Sequence, residues 1–186
     1  MRKSEYNIME TILNRWSPRA FEPINMDENE LLAMIDAARW APSSYNNQPW
    51  RFIYALRETD EWNKLFDLLI DFNKSWAKNS SALILIASKK SFDNGKPSLT
   101  HQFDTGAAWQ NLSLEATKRG FFSHGMQGFD YEKARTVLNI PEEFEILAMT
   151  AIGKKADPET LPDELKDKEI MTDRKPLDEI CFKGTM

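Results

Sequence analysis

A polar loop between two apolar segments constrains this chain more than any other stretch. A helical pattern ends at Pro42, a strand-like run begins at Trp50, and the residues between them are rich in Pro, Ser, Asn and Gln. Such side chains are costly to bury unless each amide and hydroxyl finds a partner. Because Trp40 and Trp50 bracket the loop, we expect both ends to be anchored, so that its donors face a flat polar ligand in fixed directions. The alternative is an ordinary solvated connection.

Length and composition set the broad class. The chain has 186 residues, of which 41% are hydrophobic, and this predicts one globular domain spanning residues 1–186. A formal net charge of −5 gives no reason to expect nucleic acid or an anionic membrane as partner. We expect a cytoplasmic protein, because no apolar run is long enough to span a bilayer and the N-terminus lacks the apolar core of a signal peptide. One cysteine and two distant histidines predict neither an internal disulfide nor a zinc site.

Hydrophobic periodicity predicts alternating helices and strands. Residues 73–81 are predicted as a polar connection around Trp76, and residues 121–129 as a turn containing two glycines. Phe103 is expected to face inward from the longest helix. The predicted helices cover roughly 4–15, 27–41, 59–69, 98–119 and 130–139, and the predicted strands cover 50–56, 82–88 and 145–153.

The last segment, residues 154–186, differs in character from the rest. Charged side chains dominate it, prolines interrupt it, and only residues 178–183 have the pattern of a strand. A charged arm with one short strand cannot bury enough apolar surface to fold alone. We therefore expect it to dock on this domain or on another chain.

Arg15 and Arg19 flank Ser17 in a loop that follows the first predicted helix. Two solvated arginines are the simpler interpretation. The functional interpretation is a phosphate clamp, because guanidinium groups match phosphate oxygens in a bidentate manner and the serine adds a hydroxyl. Further along the chain, Gly125 and Gly128 would let the backbone approach a ligand closely.

The run Ala-Pro-Ser-Ser-x-Asn-x-Gln-Pro-Trp, residues 41–50, resembles the signature of the FMN-dependent nitroreductase family. Arg15-Trp16-Ser17-Pro18-Arg19-x-Phe21 is similar to the family's phosphate-binding segment. Residues 125–130 and 174–177 resemble its later landmarks in the expected order. The resemblance therefore covers nearly the whole chain.

This resemblance implies a fold and a chemistry. The fold is α+β, an α-β-α sandwich with a mixed, largely antiparallel sheet, in a homodimer whose subunits exchange their C-terminal arms. Two FMN molecules lie at the dimer interface. NAD(P)H is the transient hydride donor, and a ping-pong route reduces nitroaromatics, quinones, flavins or a related small acceptor. FMN carries the redox chemistry. No side chain is an obvious acid or base, so the catalytic residues stay unknown at this point, and no metal is expected.

The resemblance also implies which residues bind the cofactor. One group serves the phosphate and the ring edge, a second is the loop supplied by the partner chain, and a third closes over the flavin, with the C-terminal arm adding a phosphate ligand. In that order they are Arg15, Trp16, Ser17 and Arg19; Pro42, Ser43, Ser44, Asn46 and Gln48; Asn73, Gly125, Met126 and Gly128; and Arg174 with Lys175.

Two other functions remain open at the level of sequence. One is a specialised flavin enzyme of the same fold, such as a dehalogenase or a flavin-fragmenting enzyme. The other is a flavin-binding dimer without catalytic activity. The sequence lacks the Gly-x-Ser-x-Gly, Walker and Gly-x-Gly-x-x-Gly motifs of other enzyme classes.

Overall fold

Strand β2, Ala82–Lys89, lies at the centre of the fold. A computed structural model describes residues 2–186, and in it every β2 side chain from Ala82 to Ser88 is buried. Alternate side chains of this strand enter two different cores, with Leu83 and Leu85 in one and Ile84 and Ile86 in the other. A strand that is apolar on both faces must be covered on both faces.

Four strands form the sheet, in the order β1-β2-β4-β3, and each neighbouring pair is antiparallel. Strand β1 is Trp50–Leu56, β3 is Phe122–Met126 and β4 is Phe144–Gly153. Helices cover both faces of this sheet, which confirms the predicted α+β sandwich. They are α1 (Glu10–Asn14), α2 (Glu28–Arg39), α3 (Asp60–Phe66), α4 (Asp71–Ala77), α5 (His101–Lys118), α6 (Tyr131–Val137) and α7 (Asp163–Lys166), with 3-10 turns at Ser44–Asn46, Pro158–Thr160 and Leu177–Glu179.

Helices α2 and α5 cover one face, where Leu31, Met34 and Leu112 are fully buried. Helix α2 begins where the sequence predicts, because the Asp27 carboxylate accepts a hydrogen bond of 2.7 Å from the Asn29 N–H. Helices α3, α4 and α6 contribute Leu65, Trp76 and other residues to the core on the opposite face.

Three elements differ from the sequence prediction. Helix α1 begins at Glu10 and not near Ser4. Residues 71–77 form helix α4, where a connection was predicted, because the buried positions Asn73, Trp76 and Ala77 have helical spacing that the polar asparagine conceals. Strand β3 was predicted as a turn, but its backbone pairs with β4 and its polar Ser123 is buried.

Two aromatic residues predicted to be buried are exposed in the single chain. Trp40 is 75% exposed and Phe103 is 80% exposed, so only Trp50 anchors the polar loop as expected. Within the arm, Leu161 and Leu165 are buried against the same chain, while residues 170–186 are exposed. Residues 178–183 do not form the predicted strand in the described chain, and exchange of the arm between subunits stays a prediction.

No helix within residues 2–186 combines the length and the hydrophobicity needed to span a membrane.

Candidate cofactor site

A cavity of about 790 Å³ opens between the N-terminal segment, helix α5 and the C-terminal arm. We call it the cation cavity, because Arg2, Arg15, Arg174 and Lys175 line it together with Ser17. The Arg15 guanidinium donates to the Ser17 hydroxyl over 3.3 Å. Its volume lies in the range of small-ligand sites. Four of the predicted phosphate-binding residues therefore meet at one cavity.

The guanidinium groups of this cavity repel one another. Burial lowers the pKa of Arg15 from its ordinary value, and the charges of Arg174 and Arg2 lower it further. Burial and the charge of Arg174 also lower the pKa of Arg2, with only Asp173 acting in the opposite direction. An anion bound between these arginines would offset their mutual repulsion through attraction to each of them. The chemistry of this donor set therefore fits a phosphate group.

The loop that carries Arg15 and Ser17 is held in place by hydrogen bonds to Glu169 and by packing of Trp16 in the core. The backbone N–H groups of Arg19 and Ala20 donate to the buried carboxylate of Glu169 over 2.8 to 3.0 Å. Trp16 is buried and packs edge-on against Phe122, with 6.5 Å between ring centroids. The Trp16 side chain therefore belongs to the core. Among the described residues, Arg19 is outside the set that lines the cation cavity.

His124 on β3 supports the same loop. Its Nδ1–H donates to the Pro18 carbonyl over 2.9 Å, and its ring lies 4.6 Å from that of Trp76. Burial lowers the pKa of His124 to about 4, aided by the positive charges of Arg19 and Arg15 and opposed by hydrogen bonds to the backbone of Pro18 and Ser17. A neutral imidazole therefore lies beneath the arginines at neutral pH.

The predicted glycine turn lies beside the cation cavity. Trp109 of α5 lines the cavity, and a Cβ built on Gly125 would come within 3.0 Å of the Trp109 ring. A Cβ on Gly128 would lie 2.7 Å from the amide nitrogen of Asn73, which donates to the Gly128 carbonyl over 2.9 Å. A side chain at either position would therefore require these neighbours to shift. Met126 is buried in the core between them.

The polar loop is held in an unusual backbone conformation. Tyr45, Asn46 and Gln48 have φ angles of 51°, 54° and 49°, a region that residues other than glycine rarely adopt. The Ser44 N–H donates to the Asp104 carboxylate over 3.0 Å, and the Gln48 N–H donates to the Ser43 hydroxyl over 3.0 Å. Strain of this kind persists only where surrounding contacts impose it, and it is concentrated at functional sites.

This loop lies at a second cavity of about 630 Å³, which residues 45–48 share with Phe92 and Lys96. Tyr45 meets Phe92 edge-on, with 5.8 Å between ring centroids. Across residues 2–186, the lining sets of the two cavities have no residue in common. The structure therefore brings Arg15, Ser17, Arg174 and Lys175 together, but places Asn46 and Gln48 elsewhere on the chain. Exposed Pro42 and the hydrogen-bonded Ser43 and Ser44 belong to the same loop.

Sequence reasoning missed four residues that shape these sites. Asp104 and Glu169 hold the two loops, Trp109 joins the glycine turn to the cavity, and Arg2 contributes a cation. Asp104 could have been noticed as an acidic residue on the apolar stripe of a helix. Arg2 and Glu169 lie in charged stretches that resemble solvated surface.

Comparison with known proteins gives a consistent result. The nitroreductase family model matches residues 12–75 and 60–154. A crystal structure of an oxidoreductase containing FMN superimposes with a TM-score of 0.95 at 42% identity, covering 99% of this chain and 95% of that one. Protein DrgA of Synechocystis is 30% identical over 80% of this chain and 84% of its own length. The major NAD(P)H-flavin oxidoreductase of Aliivibrio fischeri is 28% identical over 46% of this chain and 40% of its own.

Proposed function

The chain belongs to the nitroreductase family, and from this premise we propose how its residues serve an FMN-dependent NAD(P)H oxidoreductase. The family establishes an oxidoreductase with FMN as cofactor and NAD(P)H as donor. The proposal adds a ping-pong route to a nitroaromatic, a quinone, a flavin or a related small acceptor. The observation that carries it is the meeting of Arg15, Arg174 and Ser17 at one cavity.

The cation cavity holds the phosphate end of the cofactor in this proposal. Arg15 and Arg174 provide guanidinium forks, Lys175 adds a point charge and Ser17 a hydroxyl. Charge-assisted hydrogen bonds of this type are about twice as strong as neutral ones. Binding the phosphate also relieves the mutual repulsion of the arginines, so affinity comes from both effects.

The other end of the site must accept a flat ring. Bound FMN would supply the redox chemistry, hydride transfer from NAD(P)H and reduction of the acceptor. Gly125 and Gly128 let the side chains of Trp109 and Asn73 pack against the backbone of this turn, and the Asn73 amide donates to the Gly128 carbonyl. In this proposal the ring lies against the backbone that these contacts hold in place. Trp109 forms the wall that connects this turn to the phosphate end.

A second copy of the chain completes the site. The loop at residues 42–48 is polar and bound to helix α5 through Asp104, but it lies away from the cation cavity of its own chain. Trp40 lies two residues before this loop, and Leu99 and Phe103 lie near the start of α5, whose Asp104 binds Ser44 of the loop. These three apolar side chains are 75%, 95% and 80% exposed. Exposed apolar side chains of this number and size are typical of a protein interface. We therefore propose a homodimer in which each loop faces the partner's flavin.

The tail of the arm fits the same arrangement. Ile180 and Phe182 are exposed, with 59% and 47% of their surfaces in contact with solvent. Packing against the partner subunit would cover them, as the predicted exchange of arms requires.

Purified protein provides the experimental test. The visible spectrum should show a bound flavin, chromatography should identify the released cofactor as FMN, and NADH or NADPH should be consumed with a quinone acceptor. Released FAD, or no flavin after reconstitution with FMN, would contradict the cofactor assignment. Bound FMN without any consumption of NAD(P)H would instead favour a non-catalytic flavin carrier.

A further inference from the structure

Arg2 connects three parts of the chain that border the cation cavity. Its guanidinium donates to the Arg15 carbonyl over 2.8 Å and to the Leu13 carbonyl over 3.3 Å, both in the segment that leads to Ser17. The same side chain donates from Nε to the Thr172 carbonyl over 2.8 Å, in the C-terminal arm. One side chain therefore connects the segment that leads to Ser17 with the C-terminal arm.

The bond to Thr172 matters because the last part of the arm, residues 170–186, has few other attachments. Residues 170–186 are exposed throughout, and their other hydrogen bonds and ion pair are local, such as those of Arg174 to Thr172 and of Lys175 to Glu179. Within the part of the chain that the structure describes, Arg2 makes the one hydrogen bond from residues 170–186 to the rest of the chain. Arg174 lies two residues beyond this attachment point.

In the structure, residues 173–177 of the arm line the cation cavity, and we call this the closed arrangement. Without an anion, the charges around Arg2 oppose it. Arg15, Arg174, Lys3 and Lys175 line the same cavity, against only Glu5 and Asp173 as acidic residues. Every step that brings Arg174 towards Arg15 and Arg2 therefore costs electrostatic free energy. A phosphate between these groups reverses the sign of that contribution.

We propose that Arg2 is a positioning residue that latches residues 170–186 over the cation cavity, and that a phosphate group bound in the cavity stabilises this latch. The proposal rests on the proposed function in taking the phosphate of FMN as the natural ligand. Its consequence is a reciprocal coupling, since an anion that favours the closed arm must bind more tightly when the latch is intact.

Hydrogen exchange of the full-length protein, measured on peptides from residues 170–180, tests the latch directly. Wild-type protein is compared with Arg2→Ala, Arg2→Lys and the control Lys3→Ala, each alone, with saturating inorganic phosphate and with FMN. Lys3 is a suitable control because it lines the same cavity and its substitution leaves the three Arg2 bonds in place. Dissociation constants for FMN are measured in parallel from flavin fluorescence.

The expected results separate a latch from a simple charge effect. In wild type and Lys3→Ala, phosphate and FMN both slow exchange in the arm. In Arg2→Ala this protection disappears and FMN affinity falls roughly tenfold, the loss of about one charge-assisted hydrogen bond. Arg2→Lys keeps the charge but not the planar fork, so it recovers part of the affinity and not the protection of the arm.

Two results would overturn the latch: arm protection in Arg2→Ala equal to wild type, or full recovery of protection in Arg2→Lys. Failure of the proposed function has a different signature. In that case inorganic phosphate still protects the arm in an Arg2-dependent manner, but FMN neither binds nor protects.

Discussion

At the scale of single residues, Arg15 has the clearest role. It lines the cation cavity, contacts Ser17 and lies among other guanidinium groups. We predict that Arg15→Ala weakens FMN binding roughly 10- to 100-fold, since a hydrogen bond to a charged group contributes about 1.5–3 kcal/mol. The apoprotein should be no less stable than wild type, because the substitution removes a repelling charge. Flavin titration and thermal melts with and without FMN measure both quantities.

Arg39→Ala is the matched control. Arg39 is exposed on α2 and pairs with Asp36 over 2.7 Å, outside the cation cavity. The Arg39→Ala protein should bind FMN with the same affinity as wild type. Equal losses of melting temperature in Arg15→Ala with and without FMN would contradict a ligand contact, because such a contact must appear in the ligand-dependent part of stability.

Because the pKa of His124 is lowered in the folded protein, the free energy of unfolding should depend on pH. Its pKa of about 4 in the folded protein lies below the ordinary value of 6.5. Between these values the unfolded chain binds more protons than the folded one, so stability is complete above pH 6.5 and falls as the pH is lowered. The shift corresponds to at most about 3 kcal/mol. Denaturant unfolding of the apoprotein at pH 7.5 and 5 should show about 2 kcal/mol of this loss in wild type, because the loss is complete only below pH 4.

His124→Gln should remove most of this pH dependence, because glutamine can still donate to the Pro18 carbonyl but does not titrate. Similar losses in both proteins would assign the pH dependence to other groups.

At the scale of elements, the sequence predicted well wherever burial alone decides structure. Strand β2 is a continuous apolar run, and its bounds agree to one residue. The prediction was wrong where polar residues serve the interior. Helix α4 carries a buried Asn73 and strand β3 a buried Ser123, whose hydroxyl bonds Ser113 over 2.8 Å. Such residues are satisfied by partners distant in sequence, and no local pattern reveals those partners.

Helix α5 holds the polar loop through Asp104, and this contact is testable. Asp104 is 4% exposed and accepts hydrogen bonds from the Ser44 N–H and from the Thr100 hydroxyl. We predict that Asp104→Ala leaves the Ser44 N–H without its partner, at a cost of about 1–3 kcal/mol. Exchange of residues 43–48 should accelerate, and flavin affinity should fall although the cation cavity is unchanged.

Glu115→Ala is the control on the same helix. Glu115 pairs with Arg119 over 2.8 Å, and it lines neither cavity in the described chain. Loop exchange in Asp104→Ala equal to that of this control would show that α5 does not position the loop.

At the scale of the whole molecule, exposed aromatic surface predicts assembly. Leu99, just before α5, and Phe103, in its first turn, have 95% and 80% of their surfaces exposed. We predict that Phe103→Asp reduces dimerisation and flavin content together, since a charge in the core of an interface is strongly unfavourable. Light scattering read beside flavin absorbance measures both. Val137→Asp, at a residue 40% exposed on α6, is the control and should stay dimeric and yellow.

The candidate site, like α4 and β3, depends on contacts between residues distant in sequence, which local patterns do not reveal. The residues that line the cation cavity could be named from motifs, as with Arg15, Ser17 and Arg174. The residues that hold them could not, because Arg2 and Glu169 act through contacts between opposite ends of the chain, separated by about 150 to 170 positions. The distribution of motifs over two cavities is a property of the fold, and no spacing in the sequence encodes it.

The central claim is that each flavin site draws on two chains, and a heterodimer tests it most directly. One subunit carries Arg15→Glu, which repels the phosphate, and the other carries Ser44→Glu, which places a carboxylate on the loop. The two chains are co-expressed with different tags and the mixed dimer is purified through both. Flavin content per dimer is then measured beside that of each variant homodimer.

If the sites are shared, the heterodimer has one site with both substitutions and one with neither. It should therefore hold about one FMN and have about half the wild-type activity, while each homodimer is nearly colourless. If the loop and the cation cavity of one chain served the same flavin, every site would carry one substitution. A heterodimer as colourless as its parents would then contradict the account.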